Sequence, residues 1–127
     1  MVQVAIGLYG LQKWFGGDFA PVVDLAHRAD EAGVDQVSLT DHVVMGENLD
    51  KYPYGRFPSG LDFPWFEPLT VLAAIAGATR RIRLSTGVLI APLRPAVLLA
   101  KQLATLDVMS RGRVTIGLGL GWQKEEY

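Results

Sequence analysis

The spacing of apolar residues along this chain switches repeatedly between two periods. "VQVAIGLY", residues 2 to 9, is rich in β-formers and predicts a strand, and the glycines from Gly10 to Asp18 predict a loop. Phe19, Val22, Val23, Ala26 and Ala29 then fall on one helical face. With Asp18 placed to cap and Gly33 to terminate, a helix is expected over 19–32. "DQVSLT" at 35–40 predicts a second strand after a short connection. Residues 41–66 carry no periodicity and are punctuated by Pro53, Pro58, Pro64, Gly46, Gly55 and Gly60, which predicts a long loop of the kind that is functional or disordered. Glu67 and Pro68 open a helix continuing through "LTVLAAIAGATRR", 69–81. "IRLSTGVLIA", 82–91, predicts a third strand whose Gly87 marks a bulge or a close approach. Pro92 and Pro95 bracket a turn into a helix over 96–109, and "GRVTIGLGLG", 112–121, predicts a fourth strand. "WQKEEY" reads as the first turn of a fourth helix.

Strands that alternate with helices and are nearly continuous in apolar residues predict a parallel α/β sheet. Two architectures satisfy that pattern: a small open doubly wound sheet, and the first half of a (β/α)8 barrel. The half-started helix at the end favours the half barrel, so the 127 residues read as one domain incomplete at its C-terminus.

Composition narrows the function classes. The 12 basic and 13 acidic residues are interspersed, with no positive stripe for a nucleic acid. The absence of cysteine removes a thiolate nucleophile, a disulfide framework and a cysteine-ligated metal, and no metal site is expected. No signal peptide and no apolar run long enough to span a bilayer is read, so a cytoplasmic protein with no membrane partner is expected.

In such folds ligands sit at the carboxyl ends of the strands, here Tyr9 and Gly10, Thr40 to His42, Ile90 and Ala91, and Gly119 to Trp122. Asp41 and His42 are the ionisable pair among them. A histidine there can exchange a proton near neutral pH, with the neighbouring carboxylate orienting it. Equally, Asp41 caps a turn and His42 satisfies a loop carbonyl. His27, on the first helix, reads as solvated or partly buried rather than as a ligand. "GLGLG", 117–121, misses the dinucleotide fingerprint because Trp122 and Lys124 stand where a third glycine is needed. It leaves either bare backbone for a ring or phosphate, or a tight strand-to-helix turn. The aromatics of "FPWFEPL", 63–69, either wall a pocket or plug the mouth of the barrel.

Three segments together, "GVDQVSLTDHVV", the block from "WFEPLTVLAAIAGATRR" through "LATLDVMSRGRV", and "GLGLGWQKEEY", resemble the luciferase-like monooxygenase family and its branch using the deazaflavin coenzyme F420. The resemblance covers the whole chain and implies the N-terminal half of a (β/α)8 barrel, with much of the phosphate-binding surface in the other half. It implies that Asp41 and His42 lie beside the cofactor ring, His42 as acid or base. A bulge with a non-proline cis peptide is implied at Gly87 and Val88, flanked by Leu89 and Ile90, under the ring, and a glycine-rich strand end at Gly119, Gly121 and Trp122. Sugar-phosphate dehydrogenases of the family carry a glutamate where this chain has Trp122, which points to a more apolar substrate. The expected activity is hydride transfer between F420 and a small organic molecule. An FMN-dependent monooxygenase is the alternative, and a further one is a non-catalytic half barrel acting only by association, as a homodimer or with a complementary half.

Overall fold

The computed structural model describes residues 2–127. Four strands, β1 (Ala5–Gly7), β2 (Gln36–Leu39), β3 (Arg83–Ile90) and β4 (Val114–Gly119), form one sheet in the order β1-β2-β3-β4. Every pairing is parallel. The connections are α1 (Ala20–Glu31), α2 (Pro68–Ala78) and α3 (Ala96–Ser110). A doubly wound sheet reverses its strand order at a switch point, whereas here each strand lies beside its sequence neighbour, as in consecutive units of a barrel.

Register explains how the two faces divide. Ile6, Val37, Leu84 and Val114 are aligned across the four strands and all join the core, in which Val22, Ala26, Leu72, Ile75, Leu99 and Leu106 come from the helices. The next row, Gly7, Ser38, Ser85 and Thr115, points to the other face. It is small and polar, and the Ser85 hydroxyl donates to the Val37 carbonyl at 2.9 Å.

Several boundaries differ from expectation, each for a local reason. β1 is three residues rather than eight, because it is paired on one side and Val2 and Val4 stay exposed. Asp18 lies two residues before the first helix and accepts the Ala20 N–H at 3.0 Å, while Phe19 occupies the N-cap. Gly33 has φ +86°, and the N–H groups of Gly33 and Val34 donate to the Asp30 and Ala29 carbonyls, closing α1 as expected. α2 stops at Ala78 rather than Arg81, because the N–H groups of Arg80, Arg81 and Ile82 turn away to the buried carboxylate of Asp30, at 2.7, 3.0 and 2.7 Å. Lys124–Glu126 form a short 3-10 turn where the first turn of an α-helix is expected from sequence. His27 donates through Nδ1 to the Ala78 carbonyl at 2.9 Å and is otherwise exposed.

Two charged side chains lock the amino ends of the strands. The Arg113 guanidinium is buried and donates to the carbonyls of Ala76, Thr79, Ile82 and Ser110, tying the ends of α2 and α3 together. Asp30 does the same for α1 and the turn into β3. Burial pushes its carboxyl up, but the three backbone donors and Arg81 outweigh this and hold it below its ordinary value. Asp30→Asn is expected to cost about 2 kcal/mol, the scale of hydrogen bonds to a charged group. Because the folded pKa is lowered, that stabilisation is present above the unfolded value near 3.8 and is lost as pH falls through the folded one. The gap between wild type and variant in urea unfolding should therefore be full at pH 7 and shrink in acid below about pH 4. An equal gap at all pH values would contradict the assignment.

Candidate functional site at the carboxyl ends of the strands

Asp41 and His42 leave the end of β2 in opposite directions, and each takes a different partner. The Asp41 carboxylate is fully buried and accepts both Nη atoms of Arg94, at 2.6 and 3.0 Å, together with the Ile90 N–H at 2.8 Å. Arg94 lies in the turn after β3, donates also to the Ile90 carbonyl, and reaches Glu67 Oε1 at 3.0 Å. Glu67 is the N-cap of α2, its other oxygen accepting the Thr70 N–H and hydroxyl. One carboxylate thus clamps the ends of β2 and β3, and Arg94 extends the clamp to the start of α2. Burial pulls the Arg94 guanidinium down, but Asp41 and Glu67 outweigh it and leave it above its ordinary value. Burial likewise pushes Glu67 up, and its Thr70 and Arg94 partners hold it below.

The expectation that Asp41 orients His42 is therefore corrected: its oxygens are taken by Arg94 and Ile90. The partner of His42 is Glu126, whose Oε1 lies 2.9 Å from Nδ1, with both side chains buried. Oε1 also takes the Val43 N–H at 3.3 Å. An oxygen already accepting from an amide acts as acceptor toward the ring, so the network assigns the hydrogen to Nδ1. Nε2 has no hydrogen-bond partner among the described residues.

The segment that supplies Glu126 is strapped to the loop after β2. The Gln123 side chain brackets Gly46, accepting its N–H and donating to its carbonyl, both at 2.9 Å, and Asn48 donates to Glu125. A Cβ on Gly46 would stand 2.5 Å from that of Glu125, so the strap needs glycine there.

Around His42 lies a cleft of about 330 Å³, walled by Tyr9, Thr40, Asp41, His42, Tyr52 and Trp65, and closed by Gly87, Val88, Ile90, Gly121 and Trp122 with the loop residues Tyr54, Phe57 and Pro58. The imidazole is ringed by aromatics, its centroid 4.5 Å from Trp65, 5.6 Å from Phe57 and 6.2 Å from Trp122. Tyr52 bridges Phe57 and Trp122 at 5.1 and 5.2 Å. Three polar atoms of cleft residues, Tyr9 Oη, Trp65 Nε1 and Trp122 Nε1, are buried without a partner among the described residues. An apolar cleft with unpaired donors suits a flat ring bearing carbonyl acceptors, since buried donors left unpaired are costly.

Of the residues singled out from sequence, the structure brings Asp41, His42, Gly87, Val88, Ile90, Gly121 and Trp122 to one cleft. The ladder between β3 and β4 shifts register between Thr86 and Leu89, and the Gly87–Val88 peptide is cis. Leu89 is buried in the core. Gly119 is not on the cleft wall: a Cβ there would lie 2.5 Å from Val88 Cγ2, and one on Gly117 would lie 2.6 Å from the Thr86 carbonyl oxygen. These two glycines of "GLGLG" admit the bulge of β3 rather than a ligand. Of the "FPWFEPL" aromatics, Trp65 faces the cleft, Phe63 backs Tyr9, and Phe66 packs on Phe19. Arg94, Glu67, Glu126, Tyr52 and Phe57 were not found from sequence. Arg94 had a signal, as a charged residue in the turn directly after a barrel strand. Glu126 had none, because its role depends on the strap and on 84 residues of separation from His42.

The luciferase-like monooxygenase family model matches residues 4–127. An uncharacterized protein of Mycobacterium tuberculosis is 33% identical over 116 residues, covering 87% of this chain and 40% of the relative. An F420-dependent glucose-6-phosphate dehydrogenase of Kineococcus radiotolerans is 37% identical over 108 residues, covering 81% of this chain and 28% of the relative. The crystal structure of monooxygenase RslO1 from Streptomyces bottropensis superposes with a TM-score of 0.73 at 31% identity, over 98% of this chain and 35% of that one. The chain thus spans well under half the length of these relatives. With the family model matched over nearly every residue and the fold in agreement, the chain belongs to the luciferase-like monooxygenase family.

Proposed function

We propose that this chain carries the acid/base half of a hydride-transfer site, in an oxidoreductase that passes hydride between coenzyme F420 and a small, largely apolar organic substrate. The observation that carries the reading is His42: Nδ1 is held by the buried Glu126 carboxylate, and Nε2 is free in an aromatic cleft at the carboxyl ends of the strands. A bound deazaflavin supplies a two-electron hydride acceptor or donor. Val88 and Ile90 offer an apolar surface for its ring, and Tyr9, Trp65 and Trp122 the unpaired donors for its polar edge. The residues of this chain do the rest. The aromatic walls make the cleft apolar, and a less watery surrounding strengthens polar interactions there. His42 Nε2 takes a proton from a substrate hydroxyl as hydride leaves the adjoining carbon, or in the reverse direction returns it. Glu126 holds the ring in one tautomer and favours the imidazolium that forms. Asp41 holds Ile90 and the end of β3 in place. Trp122, standing where a glutamate stands in the family's sugar-phosphate dehydrogenases, favours an apolar substrate.

A second reading is an FMN-dependent monooxygenase, of which the likeness to the monooxygenase RslO1 across almost the whole chain favours the monooxygenase part. Titration of this chain with F420 and, separately, with FMN separates the two. Trp65 and Trp122 line the cleft, so binding should quench tryptophan fluorescence and shift the visible spectrum of the cofactor. F420 is expected to do both, with FMN weaker. Tight FMN binding without F420 binding would reverse the choice.

A further inference from the structure

A second cavity, of about 590 Å³, adjoins the cleft and shares Phe57 and Pro58 with it as a common wall. Its other lining residues are Lys13, Leu49, Asp50, Gly55, Arg56, Ser59 and Gly60. Its chemistry differs from that of the cleft. Lys13 and Arg56 make no ion pair among the described residues, so two cations face one carboxylate, Asp50. Lys13 instead lies over the Phe63 ring, its Nζ 4.4 Å from the centroid, on the ring that backs Tyr9 of the cleft. Ser59 is 9% exposed, and its Oγ is buried with no hydrogen-bond partner. A buried hydroxyl without a partner costs free energy unless a ligand or water completes it. Two unpaired cations and an unsatisfied hydroxyl around one cavity match a carboxylate, which accepts from all three.

We propose that this cavity seats the anionic group of the substrate, and that the substrates are therefore small aromatic or apolar carboxylates whose uncharged end lies in the cleft against His42. The assignment rests on the cleft being the redox site. Phe57 and Pro58 then serve both parts of one ligand, their cleft side contacting the apolar body and their far side bounding the seat of the charge.

The test compares 3-phenylpropionate with 3-phenylpropionamide, which share shape and differ in charge, by calorimetric titration of wild type and of the double variant Lys13→Met, Arg56→Met. Both substituted side chains are exposed, and methionine keeps the apolar stem that covers Phe63. Wild type is expected to prefer the carboxylate by about tenfold, the equivalent of one charge-assisted hydrogen bond. The double variant should lose that preference while binding the amide unchanged, and Ser59→Ala should reduce it in part. Equal binding of acid and amide by wild type would overturn the proposal, as would a preference that survives in the double variant. The F420 and FMN titrations, repeated on the double variant, should match wild type. If neither cofactor binds but the preference follows Lys13 and Arg56, the redox reading fails and the anion seat stands. If a cofactor binds and there is no preference, the seat fails alone.

Discussion

Asp41→Ala is expected to cost about 3–5 kcal/mol of folding stability, the range for stripping one partner from a buried ion pair. The substitution acts on three groups at once. Arg94, only 11% exposed at its side chain, loses its bidentate partner and keeps the half-exposed Glu67. The Ile90 N–H, whose acceptor is Asp41 Oδ2 at 2.8 Å, is left without one in a buried position. The ends of β2 and β3 lose the side chain that joins them. Against a total stability of about 5–15 kcal/mol for a domain, this is a large fraction, and it should appear as a strongly lowered urea midpoint. Arg94→Met exposes the converse problem, an unpaired buried carboxylate, and should cost a similar amount. The double variant Asp41→Leu, Arg94→Met removes both charges together and should lose much less than the sum of the two single changes. A single-variant cost under about 1 kcal/mol would mean that the clamp is an ordinary surface pair.

That result bears on how much of the site was readable in the sequence. The position of Asp41 and His42 followed from periodicity alone, since strand, helix and strand place residue 41 at a carboxyl end. The chemistry of the pair did not follow. Adjacent residues at a strand end point to opposite sides, so neighbours in sequence are poor candidates for partners in space. Asp41 turned to the turn after β3 and His42 to a strap at the far end of the chain. Helix ends were legible where the chain carries its own signal, as at Gly33 and Glu67. They were misplaced where a tertiary acceptor overrode propensity, as when Asp30 drew the N–H groups of residues 80–82 out of α2. "GLGLG" shows the same limit. Its glycines are required, but Gly117 and Gly119 by the backbone and side chain of β3 rather than by a ligand, which spacing cannot distinguish.

Under the proposed assignment, His42→Ala is expected to lower kcat/KM for the proposed hydride transfer by about 10²–10⁴, the contribution of a positioned acid or base. Loss of activity alone would not separate chemistry from packing, because His42 also contacts Trp65 and Phe57. Glu126 supplies the sharper test, since it touches neither cleft nor substrate in this assignment and acts through the ring. In Glu126→Gln the amide oxygen can still accept from Nδ1 and from Val43, and turning the amide round would set an NH2 group against the Val43 N–H. The tautomer should therefore persist, with the charge that favours the imidazolium removed. Glu126→Ala removes both, leaving Nδ1 without its acceptor. The expected order of kcat is wild type, Glu126→Gln, Glu126→Ala, with KM for an uncharged substrate nearly constant, because the change falls on proton transfer rather than on binding. Nitrogen NMR of the His42 ring is the readout that a packing role would leave unmoved: Nδ1 should be protonated in wild type and in Glu126→Gln, and the two tautomers should mix in Glu126→Ala. A wild-type ring protonated on Nε2 instead would show that His42 faces the cleft as a donor in its neutral form, and the direction of its proton transfer would have to be reversed.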